Sequence, residues 1–581
     1  MTASMAVRDV AGWLRQSWRL LSRRALTART VEQHLLRSGT NDLPKTLSLA
    51  DLVFLGIGSI IGAGVFVLSG VAANELAGPA VIISYLVAAT AALLSALCYA
   101  EMAVSLPVAG GAFNYISVSF GELAAWTVAW NISLETTLSS AAVARGFASY
   151  LATLIGLSAS ALRINAGPIQ LDPAAALLVL FLTALLIKGT KESSRFNMVV
   201  SGLNVASILF VLCAGFPSAK ASNLSPFAPF GGKGVFAASA VVFFAFVANA
   251  AEEAKDPAND LPWGIVGSLG VATLLYVLMS LCIVMMVPYQ NIDVNAPFSA
   301  AFLDHGMAWA SKIVSLGAVL GTPVQATLLT GCMAATLALL LDIGVLAELV
   351  SIGTLYVFIC VCSGTLYNRY HQPGSGSSAR PVLAALLAMI LLAAGFSLSF
   401  TFDAGWPAVL VFLLLFFLAA GCLYLLPVRH VPEKFRVPLF PATPCLGILF
   451  TVHLIGSLGW LAYVRFGVWM ALGLALYALY GVHGAEQRER EHASELEEAR
   501  AMESNGSEAP LPRQLTSLDH EGLMGSVELP RTGYQLEIEQ QQDEPPAVAS
   551  ALARLAGRYG GSDRARLMAG RLDSTYDPGE D

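Results

Sequence analysis

Residues 56–66 read Gly-Ile-Gly-Ser-Ile-Ile-Gly-Ala-Gly-Val-Phe and lie inside the first of a long series of apolar segments. Four of the first nine residues are glycine, which is a poor residue for a continuous helix. A helix that is interrupted at the centre of a membrane points free N–H groups at a ligand, and the positive end of a half-helix favours carboxylates. The alternative is that the glycines allow close helix packing. The density of the cluster favours an interrupted, ligand-binding helix.

The chain as a whole is too apolar to be a water-soluble protein. Of its 581 residues, 56% are hydrophobic and 13% are charged, and the mean hydropathy is +0.66. Soluble domains carry about 25% charged residues. The last part of the chain, 484–581, holds 20 acidic and 10 basic residues, so the rest of the chain is slightly basic. This composition excludes a soluble enzyme, a secreted disulfide scaffold and a nucleic-acid-binding protein.

Two polar terminal regions flank a predicted membrane domain. We predict a basic cytosolic region at 1–48, a transmembrane domain at 49–483, and an acidic, largely disordered cytosolic tail at 484–581. Most apolar segments of the domain have about the 20 residues that a spanning helix needs, and lipid forces such segments to be helical. A shorter stretch near 146–157 is predicted to fold against its neighbours without crossing. The predicted spans are 50–73, 79–104, 116–142, 174–189, 196–216, 234–251, 263–287, 308–320, 323–342, 343–367, 381–400, 406–427, 443–463 and 466–483.

Basic residues orient the predicted helices. They follow the fourth, tenth and twelfth segments, for example at Lys188, Arg369 and Arg429. Lysine and arginine gather in the cytosolic loops of membrane proteins. Because all three loops follow even-numbered segments, both termini of the chain are predicted to be cytosolic.

Two carboxylates in the second and third segments are candidates for function, because acids at membrane depth are costly and usually functional. Glu101 lies near the cytosolic end of the second segment, which favours a gating role, and the alternative is a solvated helix end. Glu135 lies deeper, in the third segment, which favours a role in binding or coupling. The alternative for Glu135 is a structural pair with Arg145.

Four longer runs resemble one transporter family. They are LSLADLVFLGIGSIIGAGVFVLSG, CYAEMAVSLPVAGGAFNY, WNISLETTLSSAAVARGFASYLATL and AEEAKDPANDLPWGI. Together they resemble the plant-type cationic amino acid transporters of the amino acid–polyamine–organocation superfamily, over about residues 40–485. The resemblance implies an all-α integral membrane fold of fourteen helices. The first ten would form a leucine-transporter-like 5+5 inverted repeat, and about four extra C-terminal transmembrane helices would follow.

The resemblance also implies where substrate binds and which residues control transport. Substrate would lie between helix 1 and helix 6, with its α-carboxylate on the amides of 62–64 and its side chain toward helix 6. Proton-coupled bacterial relatives carry a lysine on helix 5 where this chain has Asn204 nearby, and an amide does not titrate. The substrate-binding candidates are Gly58, Ile61, Gly62, Ala63, Gly64, Phe244, Phe246, Val247 and Asn249. The coupling or gating candidates are Glu101, Glu135 and Asn204.

Two segments depart from the family pattern. The sixth span has no glycine from Ala240 to Glu253 and lacks a short stretch that forms the unwound half of helix 6 in the family, so we expect it to unwind poorly. The segment 308–320 is about 20 Å long as a helix and cannot span a core of about 30 Å. Helix 8 is therefore predicted to be truncated. The loss of one crossing, however, would place the arginines of the later loops on the outer side of the membrane, against their predicted cytosolic position. An incomplete splice form or gene model explains both gaps better than a divergent transporter does.

The sequence thus predicts a secondary-active or facilitative transporter of amino acids, with arginine and lysine favoured by the resemblance. The alternatives are a neutral amino acid or polyamine carrier, or an inactive isoform or nutrient sensor because of the two gaps. No enzyme activity and no cofactor are predicted, since the membrane part of the sequence has no metal cluster, nucleophile elbow or phosphate loop. The predicted partners are the amino acid substrate and the bilayer, with no nucleic acid. Proton coupling and the oligomeric state are left open.

The membrane and one modification site complete the predictions. The sequence fits a multi-pass protein of the plasma membrane or the vacuolar membrane. Asn223 stands in an Asn-Leu-Ser sequon within a loop that is predicted to face outside. It is therefore a candidate for N-glycosylation.

Overall fold

The computed structural model describes residues 48–61, 63–106, 111–166, 169–187, 194–246, 259–320, 328–371 and 378–482. All of them belong to one compact unit, Met1–Glu491. The predicted basic region up to residue 47 and the predicted acidic tail 484–581 lie outside the described residues. The site candidates Gly62, Val247 and Asn249 lie outside them as well.

The first half of the described chain is almost entirely helical. A π-helical turn, Ala72–Ala77, and a 3₁₀ turn, Gly78–Ala80, join α2 to α3. Two short antiparallel strands, β1 Ile164–Ala166 and β2 Ile169–Leu171, form a hairpin between α5 and α6, which corrects the all-α prediction in this loop. The helices are α1 Leu49–Ile60, α2 Ala63–Val71, α3 Val81–Ser105, α4 Gly111–Phe120, α5 Glu122–Leu154, α6 Pro173–Ile187, α7 Ser194–Gly215 and α8 Gly231–Val242.

The second half continues in the same manner. Short 3₁₀ turns lie at Phe216–Ser218, Ala221–Leu224, Phe243–Phe246, Tyr289–Asn291 and Leu423–Leu425, and a π-helical turn lies at Tyr477–Gly481. The helices are α9 Asp260–Met286, α10 Pro297–Asp304, α11 Ala308–Leu320, α12 Leu328–Leu340, α13 Ile343–Tyr370, α14 Arg380–Thr401, α15 Trp406–Cys422, α16 Ala442–Gly456 and α17 Trp460–Leu476.

Several helices are long and apolar enough to cross a membrane, so the protein is a multi-pass membrane protein. Within the described ranges there are six such stretches, and five further apolar helices are shorter. The predicted count of fourteen spans and the 5+5 repeat stay predictions. The six stretches are Gly64–Ser105, Asp260–Met286, Ile343–Tyr370, Arg380–Thr401, Trp406–Leu425 and Trp460–Gly481.

The third predicted span differs from the observed helix. The prediction placed a crossing at 116–142 and a separate stretch at 146–157, whereas α5 runs without interruption from Glu122 to Leu154. The stretch is alanine-rich and contains no proline, so nothing in its backbone stops the helix. Helix α4 is separated from α5 by Gly121, which has a φ of 91° that side chains other than glycine rarely adopt.

The predicted eighth span corresponds to α11, which has the predicted bounds of 308–320. Residues 321–327, which follow it, lie outside the described residues. The hydroxyl of Ser315 on α11 is 2.8 Å from that of Thr153 on α5 and 2.9 Å from that of Ser299 on α10. The short helix is thus held to its neighbours by buried hydroxyl groups. Its truncation relative to the family stays a prediction.

Helices α5 and α13 pack along each other and form the frame of the candidate site. The hydroxyls of Thr127 and Tyr356 are 2.8 Å apart, and a side chain at Gly353 would contact Asn131. On its other side, α5 is attached to α17, since the indole N–H of Trp130 donates to the carbonyl of Trp469 at 2.9 Å. The two aromatic rings are also stacked, with centroids 4.3 Å apart. These contacts fix the position of α5, which carries Glu135.

Candidate functional site

The first membrane helix, which we call helix 1, consists of α1 and α2 and is interrupted between them. A capping box at its start, in which Ser48 and Asp51 bond each other's backbone N–H, fixes where α1 begins. Helix α1 ends at Ile60, and Ile61 has extended backbone angles with a ψ of 91°. Helix α2 begins at Ala63. The interruption that the glycine cluster predicted is therefore present, although Gly62 itself lies outside the described residues.

The sixth membrane helix, which we call helix 6, also changes its hydrogen bonding. Its α-helical part, α8, ends at Val242, and a 3₁₀ turn follows at Phe243–Phe246. The expectation that helix 6 unwinds poorly stays a prediction, because residues 247–258, which follow this turn, lie outside the described residues. A 3₁₀ turn needs no positive φ, so the bulky side chains of 243–246 adopt it without glycine.

The two altered segments lie against each other. A Cβ atom built on Gly64 of helix 1 would be 3.1 Å from the Cβ and 3.2 Å from the Cα of Ala245 in helix 6. Both distances are shorter than an ordinary contact. The two segments therefore approach this closely because Gly64 has no side chain. The hydroxyl of Tyr276 on α9 donates to the carbonyl oxygen of Ile60 at 2.7 Å and to that of Ala245 at 3.2 Å. One buried side chain therefore bridges helix 1 and helix 6.

Asn204 on α7 lies beside the interruption of helix 1. Its side-chain amide donates to the carbonyl oxygen of Ile61 at 3.4 Å, and the residue is 3% exposed. Its amide oxygen is buried and has no hydrogen-bond partner among the described residues. The structure thus places this coupling candidate next to the predicted substrate site.

A cavity of about 130 Å³ lies beside both segments. Ile60, at the end of α1, and Phe246, at the end of the 3₁₀ turn, line it together with Glu135. Glu135 is the single acidic residue among the described residues that line the cavity, and it is partly buried. Further polar groups in the wall are the hydroxyls of Tyr99, Thr136, Ser268 and Thr354. The cavity therefore combines a mostly apolar wall with one carboxylate.

Arg145 does not pair with Glu135, so that alternative is wrong. The guanidinium of Arg145 lies 3.2 Å from the carboxylate of Asp342 and 3.7 Å from that of Asp172. It also donates to the carbonyl oxygens of Gln170 and Leu341. Ten residues of helix separate positions 135 and 145, a rise of about 15 Å, which places the two side chains out of reach of each other. The carboxylate of Glu135 is therefore not paired with Arg145, and Glu135 lines the cavity.

Glu101 is buried and held by three hydrogen bonds. Its carboxylate accepts from Nε of Arg369 at 2.8 Å, from Nη2 of Arg369 at 2.7 Å, and from the backbone N–H of Val437 at 2.6 Å. Phe440 covers the guanidinium, whose carbon lies 4.6 Å from the ring centroid. The alternative of a solvated helix end is wrong, because Glu101 is 3% exposed. The carboxylate ties the end of α3 to the end of α13 and to the segment before α16.

Residues 47–466 match the family model for amino acid permeases. The chain belongs to the amino acid permease family. Cationic amino acid transporter 5 of Arabidopsis thaliana is 37% identical to this permease over 77% of this chain and 88% of the relative. The vacuolar cationic amino acid transporter 8 of the same plant is 34% identical, over 77% of this chain and 84% of the relative. The methylthioribose transporter of Bacillus subtilis (strain 168) is 35% identical, over 76% of this chain and 95% of the relative.

These similarities confirm the resemblance to cationic amino acid transporters that four sequence runs carried. They support an amino acid transporter in a membrane, and the relatives are named as transporters.

The structure brings together some of the candidate site residues of the permease and separates others. Ile61, Gly64 and Phe246 lie where helix 1 and helix 6 meet. Ala63 begins α2. Gly58 is partly buried within α1 and Phe244 packs against the apolar core, and neither lines the cavity.

Sequence reasoning missed Tyr276 and the hydroxyls of Ser268 and Thr354 in the cavity wall of the permease. A tyrosine, a serine or a threonine in an apolar helix gives no local signal of function. Only the fold brings these side chains to helix 1 and helix 6, from positions about 200 residues away in the case of Tyr276.

Asn223 lies in the 3₁₀ turn Ala221–Leu224 of the permease. Its side-chain nitrogen, the atom that would carry a glycan, donates to the carbonyl oxygens of Met285 at 2.8 Å and Met286 at 3.3 Å. Attachment of a sugar would replace one of the two hydrogens on this nitrogen and so remove at least one of the donors used here. Its glycosylation stays a prediction.

Proposed function

We propose that the permease carries amino acids with cationic side chains, arginine and lysine foremost, across its membrane. The observation that carries this proposal is the cavity lined by Ile60, Phe246 and Glu135. An arginine zwitterion has a carboxylate, an ammonium and a guanidinium, and each needs a partner when it leaves water. The proposed site offers the N–H groups of helix 1, the carbonyl groups of helix 6 and the carboxylate of Glu135.

The carboxylate of the substrate is proposed to bind at the interruption of helix 1. The amino-terminal end of a half-helix carries unpaired N–H groups and a partial positive charge. Helix α2 begins at Ala63, directly after the interruption. The proposed binding residues of helix 1 are Gly58, Ile61, Gly62, Ala63 and Gly64, and those of helix 6 are Phe244, Phe246, Val247 and Asn249.

The side chain of the substrate is proposed to bind Glu135. Arginine binds carboxylates through two parallel charge-assisted hydrogen bonds, and such bonds contribute about 1.5–3 kcal/mol each. The surroundings of Glu135 support this role, because Arg145 is engaged by Asp172 and Asp342. A negative charge in a mostly apolar wall favours a cation over a neutral side chain.

Transport is proposed to follow alternating access in a 5+5 inverted repeat, with the substrate held between helix 1 and helix 6. Uniport and proton symport are both compatible with the site. In a symport mechanism Glu135 is the proposed proton carrier, since the amide of Asn204 does not titrate. Both termini are proposed to be cytosolic, in the plasma membrane or the vacuolar membrane.

Uptake into proteoliposomes tests the proposal. Labelled arginine, lysine, alanine, a polyamine and methylthioribose would each be offered, with and without an inward proton gradient. We expect saturable arginine uptake that lysine inhibits and alanine does not. Stimulation by the gradient would identify proton symport, and its absence would identify uniport.

Other results of the same experiment would favour the alternatives. Preferred uptake of alanine, a polyamine or methylthioribose would show that this compound, and not arginine or lysine, represents the substrate class. Absence of uptake, together with saturable arginine binding measured separately on the folded, purified protein, would favour a nutrient sensor or an inactive isoform.

The variant Glu135→Gln tests the proposed role of Glu135. We expect arginine transport to fall about tenfold to a hundredfold, which corresponds to the loss of about one charge-assisted bond, while alanine transport changes little. Glu122→Gln is the matched control, because it removes a carboxylate from the first turn of the same helix and does not line the cavity. Equal losses for arginine and alanine would assign Glu135 to structure or coupling instead.

A further inference from the structure

Tyr276 lies in the middle of α9 and reaches both altered helices with one hydroxyl group. The side chain is fully buried, and its hydroxyl is 2.7 Å from the carbonyl oxygen of Ile60 and 3.2 Å from that of Ala245. Ile60 is the last residue of α1, so its carbonyl loses the partner that a continuous helix would provide. The tyrosine supplies a donor to that carbonyl.

The ring of Tyr276 is held in place by two other aromatic side chains. Its centroid lies 5.6 Å from that of Tyr85 on α3 and 5.2 Å from that of Phe246 at the end of the 3₁₀ turn. Phe246 lines the cavity, whereas Tyr276 does not. Tyr276 therefore stands directly behind the wall of the proposed site and has a fixed ring.

A tyrosine hydroxyl has one proton, so it donates to two carbonyl oxygens only by sharing or by alternating between them. Each carbonyl oxygen has two lone pairs and keeps at least one for another donor. A side chain at Gly64 would press on Ala245, because its Cβ would lie 3.1 Å from that of Ala245, so helix 1 and helix 6 are close at this point. Among the described residues, this hydroxyl group and the close packing of Gly64 on Ala245 both join the two segments.

We propose that Tyr276 is a positioning residue that ties the interruption of helix 1 to the 3₁₀ turn of helix 6, so that one substrate contacts both segments at once. This inference rests on the proposed function, because it assumes that substrate lies between helix 1 and helix 6. It concerns a residue that does not line the cavity and acts through Ile60 and Ala245. Its consequence is that the tie matters most for a substrate that binds both segments.

The variant Tyr276→Phe removes the hydroxyl and keeps the ring. The matched control is Tyr463→Phe, which also removes a tyrosine hydroxyl that donates to a backbone carbonyl, that of Ile455 at 2.5 Å, and lies on neither helix 1 nor helix 6. Two measurements are needed on the full chain in detergent: equilibrium binding of arginine and of agmatine, which lacks the carboxylate, and hydrogen–deuterium exchange of residues 57–68 without ligand.

We expect Tyr276→Phe to weaken arginine binding about tenfold, as when a buried acceptor loses its donor, and to weaken agmatine binding much less. Exchange at 57–68 should be faster than in the unchanged protein, and Tyr463→Phe should match the unchanged protein in both measurements. Equal weakening for arginine and agmatine, unchanged or tighter arginine binding, or unchanged exchange would each overturn the inference. Failure of the unchanged protein to bind arginine would instead contradict the proposed function, and the exchange comparison would still test the tie.

Discussion

Replacing Glu101 by glutamine tests whether its carboxylate holds the fold or works as a gate. Glutamine has nearly the same shape, but its NH₂ group is a donor that faces the donors of Arg369 and Val437. The guanidinium of Arg369 would then remain buried without its counter-charge. Both side chains are shielded from solvent, with 4% of Glu101 and 6% of Arg369 exposed.

The magnitude follows from this burial. Removing one partner of a buried ion pair costs about 3–5 kcal/mol, whereas an exposed pair contributes about 0–1 kcal/mol. The chain offers an exposed pair as the control, because Lys233 and Asp403 bond to each other with 44% and 80% of their side chains exposed. We therefore expect Glu101→Gln to lower the free energy of unfolding by several times the effect of Asp403→Asn.

The assay is unfolding of the purified protein by SDS titration in mixed micelles, together with uptake per folded molecule. The double variant Glu101→Gln, Arg369→Gln should recover part of the loss, because it removes both buried charges. The reasoning is refuted if Glu101→Gln and Asp403→Asn have the same small effect on unfolding. A changed uptake rate with unchanged stability would assign Glu101 to gating.

Three further predictions concern helix 1 and the departures from the family pattern. Gly64→Ala should weaken arginine binding, because its new methyl group would lie 3.1 Å from the Cβ of Ala245. The control Gly421→Ala should not change arginine binding, because a methyl group there contacts nothing within 4 Å. Equal effects of the two variants would show that the close approach to Ala245 is unimportant. Gly62→Val should abolish arginine binding in folded protein, and unchanged affinity would remove the carboxylate site from helix 1. Restoring family-like segments in helices 6 and 8 should raise arginine uptake at matched membrane abundance, whereas equal uptake would show that both gaps are tolerated.

The interruption of helix 1 and the membrane character of the chain were predictable from sequence. Both have local causes: four glycines in nine residues disfavour a helix, and long apolar segments are recognised by composition alone. The four sequence runs also identified the transporter family, which the similarity of residues 47–466 to amino acid permeases supports. The extent of α5 was misjudged, because the span was cut to the length that crosses a bilayer, whereas the helix runs from Glu122 to Leu154.

Contacts between residues that are far apart in the sequence were decided only by the tertiary structure. Glu101 meets Arg369 across 268 positions, and Tyr276 meets Ile60 across 216. A sequence shows that a buried charge needs a partner, but many candidates satisfy that need equally well, and packing of the helices selects one. The sequence by itself therefore determined a membrane-embedded permease with an interrupted first helix. The fold decided that Glu135 lines a cavity, that Glu101 is bound in a buried ion pair and that one tyrosine bridges helix 1 and helix 6, because these facts depend on which helices become neighbours.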